Sequence, residues 1–312
     1  MRTGHWLNFI LIVILGSILL VLLKPQETVN VYLDKIADNF QSDANLPHRE
    51  MYYSWKSCMV NRTTEFRANH TETWRQIGKA TRECEQPYVH MLNVHDYTNS
   101  DETKRHIFPV QEGGKQVVVT LGIGHDTRAE EQLLKHFGNS SLEFYGADPM
   151  VPVNQELYSN FGYFFPVAIS AKPGFSVSNV LEGSDYVNRL VVHVDAVYFL
   201  SKLIGKKFFD TIWMDAEGAE YQLFDMINRG GEFDQNDILV CQLNLEIHKP
   251  DEMKKKAIRD FIYQTLDDER YAFFQPVQAT HLRLFFVNFA DEECVDKYIP
   301  KNVDLKQLPK WV

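Results

Sequence analysis

Residues Asp210–Tyr221 read DTIWMDAEGAEY. Apolar residues run into Asp215, and Glu217 and Gly218 follow at once. A helical pattern begins beyond them. A buried strand that surfaces on two carboxylates and a glycine is the signature of a ligand-binding edge. In open α/β sheets, ligands bind beyond the carboxyl ends of the strands, where strand order reverses.

The neighbouring segments fit such a sheet. QVVVTLG, ending at Gly122, is a short continuous apolar run of the kind buried on both faces. TRAEEQLLKHF then has helical spacing, LEFYGAD reads as strand and NQELYSNFG as helix. YFFPVAIS and LVVHV are further strand candidates, and AVYFLSKLIG is helical. After FDTIWMD come a helix over AEYQLFDMINRG, a strand over DILVCQLNLEIH and a helix over EMKKKAIRDFIYQTLDD. YAFFQPV and HLRLFFVNF close the chain as an antiparallel hairpin turning near Ala279. Strands alternating with helices imply right-handed crossovers and a doubly wound, mostly parallel α/β sheet.

Polar signals recur at the strand ends. Gly122-Ile-Gly124-His125-Asp126-Thr127 would let backbone approach a ligand closely at a helix N-terminus. Read alone, the same residues make a tight turn and a cap. Asp148, in FYGADPM, lies roughly 20 residues beyond Gly124, the spacing at which an acid meets the ribose hydroxyls of a nucleotide. Asp215 and Glu217 form a third signal, which also suits a cap and the first turn of a helix. Glu246 and His248, in QLNLEIHKP, form a fourth.

The N-terminus has a different character. Leu7–Leu23, LNFILIVILGSILLVLL, stands at the lower limit of a membrane span. The following LLKPQETV offers no small-residue cleavage site, so residues 1–24 read as an uncleaved signal anchor. A secreted form, cleaved after this segment, is the alternative. Residues 25–114 read as a stem and a partly helical polar region, with NSDETKR a solvated loop, and residues 115–312 as the main domain. Asn61-Arg-Thr, Asn69-His-Thr and Asn139-Ser-Ser fit the glycosylation pattern. Cys58 and Cys84 could pair in an oxidising compartment. Cys241 reads as a buried thiol, and Cys294 has no obvious partner. Together these features favour a single-pass protein with a lumenal body in the endoplasmic reticulum or Golgi.

The 312-residue chain has a net charge of -10 with 45% apolar residues. This is a globular composition, and its sign disfavours nucleic acid as a partner. No cysteine–histidine cluster has zinc spacing, and no metal ligand is assigned.

The glycine turn TLGIGHD, the pair ADP, the strand PVAIS, the run TIWMDAEGAE and the stretch LNLEIH together resemble the FkbM-type S-adenosylmethionine-dependent methyltransferases. The resemblance covers about residues 115–290 and extends to divergent, anchored nematode members. It implies a seven-strand doubly wound sheet with a reversed last strand, and O-methyl transfer to a hydroxyl of a glycan or small molecule. On that reading Gly122 and Gly124 line the methionine end of S-adenosylmethionine, Asp148 holds its ribose, and Asp126 and Asp215 are further cofactor-binding candidates. Asp215, Glu217 and Glu246 face the transferred methyl and the acceptor. Glu217 is the first choice of base, ahead of Asp215 and His248. The run departs from the family's usual Asp-x-Gly-Ala-Asn-x-Gly: Thr120, Gly124 and Asp126 stand at its first aspartate, its asparagine and its second glycine.

Two other classes compete. An anchored glycosyltransferase would use TIWMDAE as an acid-x-acid metal motif for a nucleotide sugar. A non-catalytic methyltransferase-like binding protein would keep the fold without turnover.

Overall fold

A computed structural model describes residues 46–111 and 113–309. The apolar run Leu7–Leu23 and almost all of the stem lie outside these residues. Among the described residues no helix is long and apolar enough to cross a membrane. The chain forms two compact units, Met1–Glu50 and Met51–Val312, and all described strands belong to the second.

Seven strands make the central sheet: β3 (Gln116–Leu121), β4 (Leu142–Ala147), β5 (Gly162–Phe165), β9 (Phe208–Met214), β10 (Leu239–Ile247), β11 (Tyr271–Gln278) and β12 (Leu282–Asn288). Their order is β11-β12-β10-β9-β3-β4-β5. Only β12 runs against its neighbours. All six residues of β3 are buried, which explains its unbroken apolar run. Val118 faces one layer with Leu133, Phe144, Tyr158 and Trp213, while Val117, Val119 and Leu121 face the other. From β3 the chain builds β4 and β5 to one side, then returns to lay β9 and β10 on the other. The order therefore reverses between β3 and β9.

Helices cover both faces: α3 (Arg128–Phe137) and α4 (Val151–Tyr158) lie in one layer with Val118, and α5 (Glu252–Asp268) lies in the other. From Met51 onward, the helices α1 (Pro47–Thr63) and α2 (His70–Cys84) share the core of β11 and β12 rather than standing apart as a stem. Trp55 packs edge-on against Phe273 at 5.1 Å.

Four sequence expectations need correction. The NSDETKR stretch is not a solvated loop. It enters a hairpin of β1 (Val94–Thr98) and β2 (Thr103–Ile107) in which Lys104 and Arg105 are buried. Cys241 is not a thiol: it is bonded to Cys294, across 53 residues of sequence, and this bridge ties β10 to α6 (Glu292–Tyr298). Cys58 and Cys84 pair as expected. YFFPVAIS splits at Pro166, which has no N–H for a ladder, into β5 and β6 (Ala168–Ser170). LVVHV belongs to β8 (Asp185–Asp195), which lies outside the main sheet. β8 joins β6 and β7 (Gly174–Glu182) in a separate three-stranded arm.

Candidate functional site

The reversal between β3 and β9 opens a cleft of about 670 Å³, counting its mouth. Its walls include Gly122 and Gly124 after β3, Asp148 after β4, and Asp215 and Glu217 after β9. The arm supplies the remaining wall with Ser178, Val180, Tyr186 and His193. Segments far apart in the chain thus meet at one rim, because parallel strands all present their carboxyl ends there.

The glycines act differently from one another. Gly122 has φ +86, and a Cβ there would stand 1.8 Å from the Asp215 carbonyl oxygen. The Asp215 N–H in turn donates to the Leu121 carbonyl at 2.8 Å. Gly122 therefore lets β3 and β9 close on each other. Gly124, with φ +63, would place a Cβ in open space, so its backbone faces the cleft without a barrier.

Asp148 is buried and organises the glycine turn. Its Oδ2 accepts the N–H of Ile123 at 2.9 Å and of Gly124 at 3.4 Å, and its Oδ1 that of Met150 at 2.7 Å. Asp126 is turned away from the main cleft and lines a neighbouring outer recess. Its carboxylate accepts from the Ser100 N–H and hydroxyl at 2.8 Å and from Arg128. Burial pushes the Asp126 carboxyl up, but these donors outweigh it and hold it well below the usual range.

Beyond β9 and β10 lies a compact group of acids around one imidazole. His248 Nε2 stands 3.2 Å from Asp215 Oδ1, 3.5 Å from Glu246 Oε1 and 3.6 Å from Glu217 Oε2. His248 Nδ1 lies 3.2 Å from Glu220 Oε1, and the fully buried Glu220 also takes the backbone N–H groups of His248 and Gly218. Burial alone would lower the His248 pKa. The close carboxylates of Asp215 and Glu220 raise it instead to about 11. For Asp215, burial is outweighed by His248, Lys104 and Arg283, and the carboxyl lies below its ordinary value. Glu217 is raised, chiefly by burial. Glu246 is raised to about 7 by burial and then by Asp215, although Arg283 Nε bonds its Oε2 at 2.6 Å.

Glu217 has φ +48, a left-handed conformation that costs a residue with a side chain about 1–2 kcal/mol. Gly218 follows with φ +104, and together they turn the chain sharply out of β9. The expected helix over AEYQLFDMINRG is consequently broken into a single turn, Glu220–Gln222, and a short helix, Phe224–Ile227. Tyr186, from the arm, lines the same cleft as Glu217.

The structure thus brings Gly122, Gly124, Asp148, Asp215 and Glu217 to one cleft, sets Glu246 and His248 against its acidic end, and leaves Asp126 outside. Several side chains of the site carry no signal that the sequence reading used. Glu220 sits within the quoted AEGAE run, three residues after Glu217, and was readable as a third acid. Arg283 is a half-buried charge within the otherwise buried strand β12. Tyr186 and His193 come from the arm, whose strands do not belong to the main sheet.

The methyltransferase FkbM domain model matches residues 85–275, well over half of the chain. The chain belongs to the FkbM methyltransferase family. The match begins before β1, so the family domain takes in the first hairpin as well as the sheet. An uncharacterized Caenorhabditis elegans protein, C28H8.7, is 22% identical over 242 residues, covering 73% of this chain and 74% of its own length. Two solved structures are similar in part. One, from Clostridium thermocellum and assigned as an rRNA-methylase, has a TM-score of 0.32 at 10% identity, over 57% of this chain and 90% of its own. The other, a human methyltransferase 10 domain containing protein, has a TM-score of 0.30 at 9% identity, over 57% and 73%. The FkbM assignment rests on the family match. The sheet order, with its single reversed strand, is the fold that the resemblance implied.

Proposed function

We propose that this FkbM methyltransferase uses S-adenosylmethionine to methylate a hydroxyl of a neutral glycan or small molecule, in an extracytoplasmic compartment. The observation that carries the reading is the single cleft shared by the glycine turn, Asp148 and the Asp215–Glu217 pair. The residues present suit the cofactor. The Gly124 backbone is open to the cleft, and Leu121, Ile169 and Val180 offer apolar wall. Asp148 uses three backbone donors on a carboxylate with about four acceptor sites, which leaves room for a ribose hydroxyl. Acids at the far end favour a positive sulfonium.

When bound, S-adenosylmethionine supplies a methyl group activated for displacement. The chain's own work is alignment and proton removal. Holding the acceptor oxygen in line contributes up to about 7–11 kcal/mol in favourable cases. Glu217, raised above an ordinary carboxylate and partly exposed, takes the proton of the acceptor hydroxyl as that oxygen gains the methyl. A base so placed contributes roughly 10²–10⁴-fold.

Two disulfides support an oxidising compartment. Asn61, Asn69 and Asn139 are all exposed, as glycosylation requires. An N-terminal anchor over residues 1–24 remains part of the proposal. Calorimetric titration of the full chain with S-adenosylmethionine tests the reading directly. Binding is expected, and its absence would overturn the assignment of the cleft.

A further inference from the structure

We propose that Asp215, Glu246 and His248 form a divalent-cation site of the manganese class at the acceptor end of the cleft. One ligand atom from each of the three lies within 4.8 Å of the others. Around an ion with bonds of about 2.1 Å, cis ligands stand roughly 3.0 Å apart and trans ligands about 4.2 Å. The separations of 3.2 Å and 3.5 Å from His248 Nε2 to the two carboxylates need only small adjustments to meet those values. Glu217 Oε2, at 3.6 Å, is a further oxygen within reach.

Three features of the surroundings point the same way. First, His248 is held as a metal-binding histidine is held: its Nδ1 faces the fully buried Glu220, which leaves Nε2 directed at the carboxylates. Second, acceptors outnumber donors. Nε2 carries at most one hydrogen, yet three carboxylate oxygens stand within 3.6 Å of it. Asp215 Oδ1 is a buried atom with no aligned hydrogen-bond donor. Of the neighbouring cations, Arg283 Nε takes the other oxygen of Glu246, Oε2, and Lys104 lies on Glu102 and Glu130. His281 Nδ1 approaches Glu246 Oε1 at 3.4 Å and completes the set of groups around that oxygen. Third, the ligands sit on rigid supports. Asp215 directly follows β9, while Glu246 is the last residue but one of β10 and His248 directly follows that strand, which is hydrogen-bonded to β9.

One imidazole nitrogen with two carboxylates suits a first-row ion better than magnesium or calcium, which prefer all-oxygen sets. A cation here would bind acceptor oxygens beside Glu217, and that role rests on the proposed methyl transfer. Occupancy of the site does not.

The full chain, stripped with chelator and free of S-adenosylmethionine and acceptor, is titrated with Mn²⁺ and followed by electron paramagnetic resonance. One bound ion per chain is expected, with spin-echo modulation from a directly bonded imidazole nitrogen. That signature comes from the wild-type protein and needs no variant. Asp215→Asn and His248→Gln should abolish binding, and Glu220→Gln should weaken it 10–100-fold. Mn²⁺ that fails to bind, binds without nitrogen coupling, or binds equally well to folded His248→Gln overturns the proposal. S-adenosylmethionine affinity measured in chelator separates the two ideas: its loss sinks the cofactor assignment and leaves the cation result standing.

Discussion

Gly122→Ala is the sharpest test of how the cleft is assembled. The new methyl carbon would stand 1.8 Å from the Asp215 carbonyl oxygen and 2.9 Å from its carbonyl carbon. Ordinary contact begins near 3.4 Å, so the ends of β3 and β9 must part by roughly 1.5 Å or the Asp215 peptide must rotate. Crowding of this kind costs about 1–3 kcal/mol. Placing alanine at φ +86 adds about 1–2 kcal/mol. The expected loss is therefore about 2–5 kcal/mol. Gly124→Ala is the control. It shares the positive φ, at +63, but meets nothing within 4 Å, so only the backbone cost applies. Urea unfolding of the two variants beside wild type, read by near-ultraviolet circular dichroism, should separate them by about 1–3 kcal/mol. Displacing Asp215 by an ångström should also lower methyl transfer by about 10²-fold. Equal stability for Gly122→Ala and Gly124→Ala would refute the close approach of the two strands.

Glu217→Gln should fold normally and lose roughly 10²–10⁴-fold in turnover on the true acceptor; a wild-type rate would remove Glu217 as the base. Replacing both cysteines of one bridge by serine tests the two disulfides. By loop entropy, opening Cys58–Cys84, 26 residues apart, costs about 3.5 kcal/mol, and opening Cys241–Cys294, 53 apart, about 4 kcal/mol. Guanidinium unfolding of each double variant gives the comparison, and no loss for either would contradict a structural role. His106 supplies a pH dependence. It is fully buried, and burial lowers its pKa from 6.5 to about 4 despite the Gln116 contact. A depressed pKa means that the neutral form is favoured by folding. Its stability is thus fully present above pH 6.5 and is lost as pH falls through 4, by about 3 kcal/mol in all. Stability against pH should flatten over that window in His106→Phe, and an unchanged slope would show that His106 is not responsible.

The sheet was legible because β3 and β9 are buried on both faces, so apolar runs mark them without ambiguity. The rim was legible for the same reason: Gly122, Asp148 and Asp215 are the first polar or glycine breaks after such runs. What escaped depends on distant pairing. Lys104 reads as solvated until Glu102, at 3.1 Å, and Glu130, at 3.6 Å, neutralise it in the interior. Cys241 and Cys294 lie on a strand and a helix whose contact no local pattern signals. The arm misleads for a different reason. Phe175, Val177, Leu190 and Val192 alternate like core residues, but that face of the ladder is open to solvent. Asp148 was correctly placed at the rim, while its hold on three backbone N–H groups could not be read from one acidic residue before a proline.

Position 120, where the resemblance implies an aspartate, carries a threonine tied into the interior of the fold. Thr120 is fully buried, and its side chain does not reach the cleft. Its hydroxyl donates to Glu130 Oε1 at 2.8 Å and accepts from Tyr158 at 3.1 Å, and both partners are fully buried. Glu130, on α3, places a buried carboxylate under this strand end, with Lys104 as its counter-charge. Restoring an aspartate by Thr120→Asp would set a second carboxylate against Glu130 with one lysine between them. Two like charges so close cannot both ionise freely. An uncompensated buried charge costs about 3–5 kcal/mol. Thr120→Asp should therefore unfold at markedly lower urea and leave S-adenosylmethionine affinity no better. If the variant kept full stability and bound the cofactor more tightly, the buried Glu130 would not be what excludes an acid from this position.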